Sequence, residues 1–416
     1  MRILHLSDLH IKRVGNKLDD VERCSSNLCN QVEVIQSVLP IDFIFITGDL
    51  VDKGGNSFDS IQEGFNVVDN IVITPLLKIT GLPKSRVILV PGNHDVEGVR
   101  ITDQFDEKYP MNNESDVNWI FNEIGNGSQI GKDAIARLEA YNTYAHGFAP
   151  SYLDESHKKC SPLANHFLFE IDNHKIGISC LCSPWRCDKS GETKNLVLGI
   201  RQMNEADPLL GKVDCRIALM HHDPSFIADW EKKDVKSIIL KKYDILFLGH
   251  THLSDDTVLD NEKGRTAYCC ASGIITDNVG GNNYKNGFEV IDIDIDMKSI
   301  EIRRYIHHED ESFGPDLNFG IQGVSTLKFG SRRKIYPLSN ILQNFKDHSS
   351  VLILSNRLEE VKNELLNSKK QKLLIGAFSG LGKTRLVYEV ALDIYRNHED
   401  DENKEEFYYC EQSFNS

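Results

Sequence analysis

Residues 86–95 read Arg86-Val87-Ile88-Leu89-Val90-Pro91-Gly92-Asn93-His94-Asp95, an apolar run that ends in a glycine and three polar side chains. The run is typical of a buried β-strand, and the residues after it predict a loop at the end of that strand. A glycine there lets the backbone turn sharply without a side chain in the way. The stretch therefore predicts a strand that carries amide, imidazole and carboxylate groups to one edge of a sheet.

Four more blocks have the same arrangement, each directly after an apolar, β-like run. They are Asp8-Leu9-His10 after residues 1–7, Gly48-Asp49 after 43–47, His221-His222 after 216–220, and Gly249-His250-Thr251-His252 after 245–248. Residues two apart on an extended chain point to the same side, so Asp8 and His10 can be directed at one place. Hard oxygen ligands mixed with imidazoles are what two adjacent divalent ions in a hydrolytic site require. The set predicts a dinuclear centre that cleaves phosphate esters.

The five blocks, in this order, resemble the signature of the calcineurin-like metallophosphoesterases, D-x-H, G-D, G-N-H-[DE], H and G-H-x-H. The resemblance covers residues 8–252, and sheet-like segments up to about residue 306 complete what such a fold needs. It implies an α/β fold built as a four-layer α/β/β/α sandwich. It also implies metal ligands, with Asp49 bridging two ions, Asp8, His10 and His252 holding one, and Asn93, His221 and His250 holding the other.

His94 resembles the family histidine that contacts the phosphoryl oxygen and assists the leaving group. Asp95 is then expected to orient His94 from behind, since a carboxylate fixes the tautomer of an imidazole and raises its basicity. The double histidine leaves one ligand open: its spacing before Pro224 allows His221 or His222, and the position of the apolar strand favours His221. Manganese is the first expectation for the native metals, and iron and zinc fit the same ligands.

A second motif lies at residues 372–386, where a short apolar strand enters a glycine-rich turn that leads into a helix. This order predicts a phosphate-binding loop at the beginning of a P-loop α/β domain. Backbone amides would surround the phosphates of ATP, Lys383 would reach the β and γ groups, and Thr384 would hold magnesium. The residues expected to bind this cofactor are Ser379, Gly380, Gly382, Lys383 and Thr384.

This loop resembles the nucleotide-binding module of the signal-transducing ATPases with numerous domains, the STAND proteins. Alanine at position 377 replaces the first glycine of the usual pattern. After the helix there follow an acidic loop at 398–406 and a strand-like stretch at 407–410, whereas a complete P-loop core needs further strands. We therefore expect an incomplete NTPase, either from a truncated longer protein, the favoured interpretation, or from a degenerate remnant.

Alternating segments at 287–296 and 299–306 predict an antiparallel hairpin that closes the first part of the chain. We expect a metallophosphoesterase domain over residues 1–330. Residues 331–416 are expected to form a connector and the N-terminal part of a P-loop NTPase domain.

An insertion at about 96–165 separates the third and fourth blocks and is expected to decide substrate access. Residues 109–113 and 125–128 predict loops, whereas residues 133–144 have the apolar spacing of a helix. The aromatic residues of the insertion either pack it on the sheet, which is favoured, or stack on a base or sugar. They are Tyr109, Trp119, Phe121, Tyr141, Tyr144 and Phe148.

The chain has 416 residues, of which 40% are hydrophobic, enough for a buried core without disulfides. It begins with a strand-like stretch and has no apolar run near the roughly 18 residues of a membrane span, so we expect a cytoplasmic protein without membrane contact. Its ten cysteines are expected to be free thiols, and structural zinc is disfavoured because no Cys-x-x-Cys spacing occurs.

The formal charge of −15 argues against a broad basic face for nucleic acid. It leaves a nuclease open, since metals neutralise the scissile phosphate locally and a homo-oligomer gathers basic residues. The STAND resemblance implies an N-terminal effector, here a nuclease, controlled by an oligomerising NTPase in a bacterial defence protein. The alternatives are a phosphodiesterase or phosphatase for small or cyclic nucleotides, and a non-catalytic docking module, against which the intact ligand set argues.

Overall fold

The computed structural model describes residues 1–14, 18–100, 103–148, 156–187, 196–251, 256–261, 264–271, 273–274, 286–308, 312–330, 334–337 and 408–411. The chain divides into two compact units, Met1–Ser331 and Arg332–Ser416. The strands of the first unit are β1 (Arg2–Leu6), β2 (Phe43–Ile46), β3 (Val87–Leu89), β4 (Lys158–Cys160), β5 (Ala164–Ile171), β6 (His174–Leu181), β7 (Cys215–Met220), β8 (Ile245–Leu248), β9 (Thr257–Asn261), β10 (Gly264–Cys270), β11 (Gly287–Asp294), β12 (Ser299–His307), β13 (Phe313–Pro315) and β14 (Val324–Lys328).

The helices of this unit differ in length from four residues to twenty. They are α1 (Asp19–Val38), α2 (Ile61–Val68), α3 (Thr74–Thr80), α4 (Asp103–Lys108), α5 (Glu114–Gly125), α6 (Gln129–Ile135), α7 (Glu139–His146), α8 (Arg201–Asn204), α9 (Asp207–Leu210) and α10 (Asp229–Lys242). A π-helical turn, Asp69–Ile73, joins α2 to α3, and short 3-10 turns include Lys53–Gly55 and Asn93–Asp95. Within the described ranges, no helix is both long and apolar enough to cross a bilayer.

The strands form two seven-stranded sheets. The first has the order β13-β12-β11-β1-β2-β3, with β14 also paired to β12, and the second has the order β4-β5-β6-β7-β8-β10-β9. Neighbours run parallel from β1 to β3 and from β6 through β8 to β10. The five strands predicted before the polar blocks are confirmed to within one residue at each end. The predicted hairpin is confirmed as β11 and β12, with β11 ending two residues earlier than expected.

The two sheets pack face to face around one apolar core. This core joins Phe43 and Phe45 of the first sheet to Ile217 and Phe247 of the second. A second apolar cluster lies between the first sheet and helices α1, α2, α3 and α7, and a third lies between the second sheet and α10. Both sheets are covered on both faces, which explains why β2 and β8 are apolar at every position. The mixed α/β architecture agrees with the predicted sandwich.

The insertion is more helical than its sequence indicates. Helix α5 lies between the two predicted loops, and Asn113 begins it by accepting a hydrogen bond from the Asp116 N–H (3.1 Å). The helical structure predicted at 133–144 is confirmed, but it is divided between the end of α6 at Ile135, a 3-10 turn and α7. That turn contains Arg137, which is 2% exposed and donates to the Asp106 carboxylate at 2.8 and 2.9 Å. A buried arginine and its ion pair therefore lie at the turn that separates the two helices.

The aromatic residues of the insertion divide into two groups. Phe121, Tyr141, Tyr144 and Phe148 are buried and pack the insertion, as the favoured interpretation predicted. The remaining pair is accessible: Trp119 is 38% exposed and its ring centroid lies 5.4 Å from that of Tyr109.

A polar cluster interrupts the apolar core between the sheets. Glu289 and His5 are fully buried, and Glu289 Oε2 lies 3.7 Å from His5 Nδ1. Arg304 contacts both Glu289 (3.4 Å) and Asp256 (3.2 Å), so one guanidinium serves two carboxyl groups. Burial, only partly opposed by Arg304, raises the pKa of Glu289 to about 7 from its ordinary value of 4.5.

The Glu289→Gln variant is expected to flatten the pH dependence of stability. Because the folded-state pKa of Glu289 is raised, its contribution is fully present below about pH 4.5 and is lost as the pH rises through about 7. Glutamine resembles the protonated acid and does not titrate, so the Tm of the variant should fall less between pH 5 and 8 than that of the unmodified protein. Thermal unfolding measured across this range, with the exposed Glu170→Gln as control, checks this; parallel Tm profiles would contradict it.

The second unit is described in two short strands. Strands β15 (Lys334–Pro337) and β16 (Tyr408–Glu411) pair antiparallel, with Lys334 opposite Glu411. The predicted phosphate-binding loop, with Ser379, Gly380, Gly382, Lys383 and Thr384, lies outside the described residues. The NTPase therefore stays a prediction.

Candidate functional site

The polar blocks meet where the carboxyl ends of parallel strands from both sheets come together. Strands β1, β2 and β3 lead into them from the first sheet, and β7 and β8 lead into them from the second. Contacts between the loops join the two sheets at this end. The His250 N–H donates to Asp8 Oδ2 (3.1 Å), and the Thr47 hydroxyl donates to the Leu248 carbonyl (3.2 Å).

Four of the predicted ligands have a backbone conformation that L-residues rarely adopt. The φ angles of Asp8, His10, Asp49 and His250 are 50°, 44°, 53° and 71°. Such left-handed residues are strained, and they persist where surrounding contacts hold them. Here the Asp8 N–H donates to the Gly48 carbonyl (3.0 Å) and the His10 N–H donates to the Asp49 carbonyl (2.9 Å). The first two loops therefore fix each other, and the fixed backbone directs their side chains to the site.

Three overlapping groups of side chains offer ligand atoms that lie within 4.8 Å of one another. They are His10 with Asp49 and His94, Asp8 with Asp49 and His221, and His221 with His222 and His250. Asp49 belongs to two of these groups, as a carboxylate that bridges two ions would have to. Burial acts to raise the pKa of Asp49, but the charge and hydrogen bond of His221, together with the charges of His10 and His94, outweigh burial and hold the pKa well below its ordinary value. The Asp49 carboxylate is therefore ionised.

The ring of His221 tests whether a cation fits here. Its Nδ1 lies 2.6 Å from the Thr47 carbonyl oxygen, so Nδ1 carries a proton and donates it. Its Nε2 then faces Asn93 Oδ1 at 3.1 Å and Asp49 Oδ2 at 3.3 Å. Because both facing atoms are oxygens, either a proton on Nε2 or a bound cation has to lie among the three atoms. Burial lowers the pKa of His221, but the charge and hydrogen bond of Asp49 outweigh burial and raise the pKa to about 9, so the ring is an imidazolium here and a metal ion would take the place of the Nε2 proton. This donor set therefore fits a cation.

His222 supplies a second imidazole on the same side. Its Nε2 lies 3.2 Å from Asn93 Oδ1, and its Nδ1 lies 2.7 Å from the Ser183 hydroxyl. Burial, reinforced by the charges of His221 and His250, lowers the pKa of His222 well below its ordinary value, so its ring is neutral, as a metal ligand must be. The geometry favours His221 on the Asp49 side and adds His222 beside His250. The choice of ligand between the two histidines stays a prediction.

His94 is supported by a residue that sequence reasoning missed. Asp52 Oδ1 lies 3.2 Å from His94 Nδ1, and the Lys53 N–H donates to the same nitrogen at 2.9 Å. Nδ1 accepts from Lys53 when the ring is neutral and donates to Asp52 when it is protonated. Both arrangements leave Nε2 as the nitrogen available to a substrate. The signal in the sequence is the position of Asp52, three residues after the bridging candidate Asp49.

The predicted orientation of His94 by Asp95 is wrong. Asp95 is fully buried, and its Oδ1 accepts from the Leu50 N–H (2.8 Å) and the Val51 N–H (3.2 Å). Its Oδ2 accepts from the Gly92 N–H (2.9 Å). Backbone amides thus occupy the carboxylate and tie the second loop to the third. Asp95 therefore holds two ligand-bearing loops together, whereas the carboxylate at the ring of His94 is that of Asp52.

The Asp52→Asn variant is expected to lower kcat/KM roughly 10–100-fold, the usual effect of removing a carboxylate that positions a catalytic imidazole. Burial would raise the pKa of Asp52, but the contact of Asp52 with His94 outweighs burial and lowers this pKa. Asp52 is therefore ionised, and the variant removes the negative charge that lies beside the ring of His94. Kinetics and metal content should be measured together, with Asp59→Asn as the nearby control. Unchanged kcat/KM at full metal content would contradict a positioning role for Asp52.

His252, the remaining predicted metal ligand, lies outside the described residues. The other predicted metal ligands, Asp8, His10, Asp49, Asn93, His221 and His250, are brought to one site together with His94. The individual roles expected of these residues stay predictions.

Residues 1–254 match the family model described as calcineurin-like phosphoesterase. Among curated proteins, the uncharacterized metallophosphoesterase-like protein YydB of Bacillus subtilis (strain 168) is 26% identical over 357 residues. That match covers 82% of this chain and 66% of YydB, slightly less than two thirds of its length.

Solved structures also match. A dimetal phosphatase from Danio rerio is 12% identical with a TM-score of 0.40, and the match covers 73% of this chain and 95% of that one. Purple acid phosphatase PPD1 from seeds of yellow lupin (Lupinus luteus) is 14% identical with a TM-score of 0.40, and the match covers 79% of this chain and 53% of that one.

Proposed function

The chain belongs to the calcineurin-like phosphoesterase family, and from this we propose that it is a metal-dependent hydrolase of phosphodiester bonds in nucleic acid. One observation carries the proposal: Asp49 is shared by two groups of ligand atoms, and His94 lies in one of them. A shared carboxylate between two clusters of imidazoles and carboxylates is the arrangement of a dinuclear hydrolytic site. All of the predicted metal ligands that lie within the described residues are brought to this site, which argues against a non-catalytic docking module.

The residues that would hold the ions are Asp8, His10, Asp49, Asn93, His221 and His250, with His252 expected to complete the set. Divalent ions held there would polarise the phosphoryl group and activate water. Manganese remains our first choice, with iron or zinc as alternatives.

The protein's own contribution is to position the substrate and move a proton. Asp49 Oδ1 accepts from the His94 N–H at 2.8 Å, which holds the backbone of His94 against the cluster. With Nδ1 held by Asp52 and Lys53, Nε2 of His94 would donate to the oxygen of the leaving group. The imidazolium that gives up this proton would be stabilised beforehand by the carboxylate of Asp52, and the ring would be a neutral imidazole after the transfer.

The insertion favours a nucleic-acid substrate over a small ester. Trp119 and Tyr109 form an accessible aromatic pair, and Lys108 Nζ lies 5.1 Å from the centroid of the Tyr109 ring. Trp119 is exposed and Tyr109 half-buried, and such a pair beside a lysine can stack on a base while the cation meets a phosphate. A phosphodiesterase or phosphatase for small or cyclic nucleotides is the alternative, since it would use the same metal ligands.

For the longer protein we propose a nuclease effector under the control of a STAND-type NTPase in a bacterial defence system. This part rests on the sequence of residues 372–386. ATP with Mg²⁺ would bind through Lys383 and Thr384, and assembly of a homo-oligomer would switch on the hydrolase.

The test is a panel of single- and double-stranded DNA, RNA, cyclic nucleotides and a generic phosphodiester, each incubated with the chain and manganese. His94→Ala is the loss-of-function control, and its metal content shows whether the site still loads. Polymer degradation that is lost in His94→Ala supports the nuclease. Turnover of small esters alone would overturn the nuclease in favour of the alternative. Full activity of the unassembled chain would overturn control by assembly, and inactivity on every substrate at full metal occupancy would overturn hydrolysis by the unassembled chain.

A further inference from the structure

A cavity of about 310 Å³ lies at the end of the second sheet opposite to the metal-ligand candidates. It is lined at the amino ends of β7 and β8 by Arg216 and Asp244, and by Lys241 and Lys242 from the last turn of α10. Its volume is at the lower end of the roughly 300–1,000 Å³ of small-molecule sites. Strand β7, six residues long, separates it from His221 by about 20 Å.

The lining is basic in a chain of net charge −15. Arg216, Lys241, Lys242 and Arg265 contribute four cationic side chains and Asp244 one carboxyl group. Arg216 and Lys242 also contact Asp207, at 3.1 and 2.5 Å, so two of the four cations share a carboxylate that does not line the cavity. Asp244 Oδ2 accepts from the Arg216 N–H (2.9 Å), and burial raises the pKa of this carboxyl group. Four cations against two carboxyl groups leave an excess of positive charge at the cavity.

One hydrogen-bond donor of Arg216 is buried and lacks a partner among the described residues. Its side chain is 9% exposed, and Nη1 donates to Asp207 Oδ1 at 3.1 Å. Its Cζ lies 4.9 Å from the centroid of the Tyr243 ring, which fixes the plane of the guanidinium. Its Nη2 lies 3.4 Å from the Met203 carbonyl oxygen, and Nε is buried without a hydrogen-bond partner within the described part of the chain. Buried donors are nearly always satisfied, so a small turn of this side chain toward an acceptor in the cavity would give Nε the partner it lacks.

We propose that this cavity binds a phosphate-bearing anion, at a site separate from the metal-ligand cluster. Guanidinium and ammonium groups in one cavity are the groups that recognise phosphate oxygens. The volume accommodates a pyrophosphate group, and the apolar walls formed by Leu210 and Leu240 leave the charged side chains as the polar contacts. The proposal is independent of the substrate hydrolysed at the other end of the sheet.

The test measures binding of inorganic phosphate, pyrophosphate and ATP by calorimetry on the full chain. Asp49→Asn protein stripped of metals with EDTA removes binding at the hydrolytic site, and Lys383→Ala removes binding at the predicted phosphate-binding loop. The cavity variant is Lys241→Gln/Arg265→Gln. The matched control, Lys233→Gln/Lys236→Gln, removes two charges from α10 at residues that do not line the cavity.

We expect at least one of the three anions to bind in the Asp49→Asn and Lys383→Ala backgrounds, and its Kd to rise at least tenfold in the cavity variant but not in the control. Circular dichroism and Tm confirm that each variant is folded. Loss of all binding in Lys383→Ala or in metal-free Asp49→Asn would overturn the proposal. Equal Kd values in the cavity variant and its control, or the absence of binding to any probe at millimolar concentration, would also overturn it.

Discussion

The Asp49→Asn variant is expected to lose about 10³-fold in kcat/KM, which corresponds to ~4 kcal/mol of transition-state stabilisation. Asp49 Oδ2 lies 3.3 Å from His221 Nε2 and 3.7 Å from His10 Nε2, so its charge stands between the two groups of ligands. Asparagine keeps an oxygen that can accept from the His94 N–H but removes the charge that a shared ligand supplies. The fold should persist while bound metal falls.

Kinetics on the best substrate of the panel, together with metal content and Tm, measure this effect. Asp234→Asn, on the exposed side of α10, changes the same chemistry far from the site and should leave all three quantities unchanged. A variant that keeps its metals and its activity would show that Asp49 is not a shared ligand.

The Gly92→Ala variant is expected to damage the site by displacing the loop that carries Asp49. A Cβ at position 92 would overlap Asp49 Oδ1 and the Asp49 N–H, and would lie 2.7 Å from Asp49 Cγ. Overpacking of this kind destabilises proteins by about 1–3 kcal/mol, and a shift of the Asp49 loop by 1 Å would lower activity on the order of 100-fold. The backbone of Gly92 is ordinary, with φ of −100°, so the effect is one of space.

Gly125→Ala provides the matched comparison. Gly125 is the last residue of α5, and a Cβ there meets nothing within 4 Å. It should be neutral or slightly stabilising, since alanine favours helix more than glycine does. Denaturant unfolding and kcat/KM, measured for both variants, distinguish a steric clash at Gly92 from a general effect of replacing glycine by alanine. A Gly92→Ala protein with the stability and activity of the unmodified protein would refute the steric argument.

The strands and the ligand loops were predictable because their signals are local. Each apolar run precedes its polar block in the sequence, so β1, β2, β3, β7 and β8 follow from composition and periodicity alone. The partner of His94 was not predictable in the same way. Asp95 is adjacent to His94 in the sequence, but its carboxylate accepts from backbone amides of another loop, and Asp52 reaches the ring only after β2 and β3 pair.

The insertion shows the same limit. Arg137, in the 3-10 turn between α6 and α7, donates to Asp106, thirty-one residues earlier in the chain, and to the carbonyl of Cys187, fifty residues later. Apolar spacing reports which side of a helix is buried, and it contains no information about such distant ion pairs. The start of α5 did have a local signal, the N-cap formed by Asn113.

The position of β1 between β2 and β11 bears on how the protein is made. Arg2 pairs with Asp292, so β1 gains its second neighbour, β11, only after residue 294 has been synthesised. At about 5–20 residues per second, the interval between the synthesis of β1 and that of β11 is roughly 15–60 s. In a growing chain the loop of Asp8 can therefore be supported by the loop after β2 alone, and its final framework forms late in synthesis.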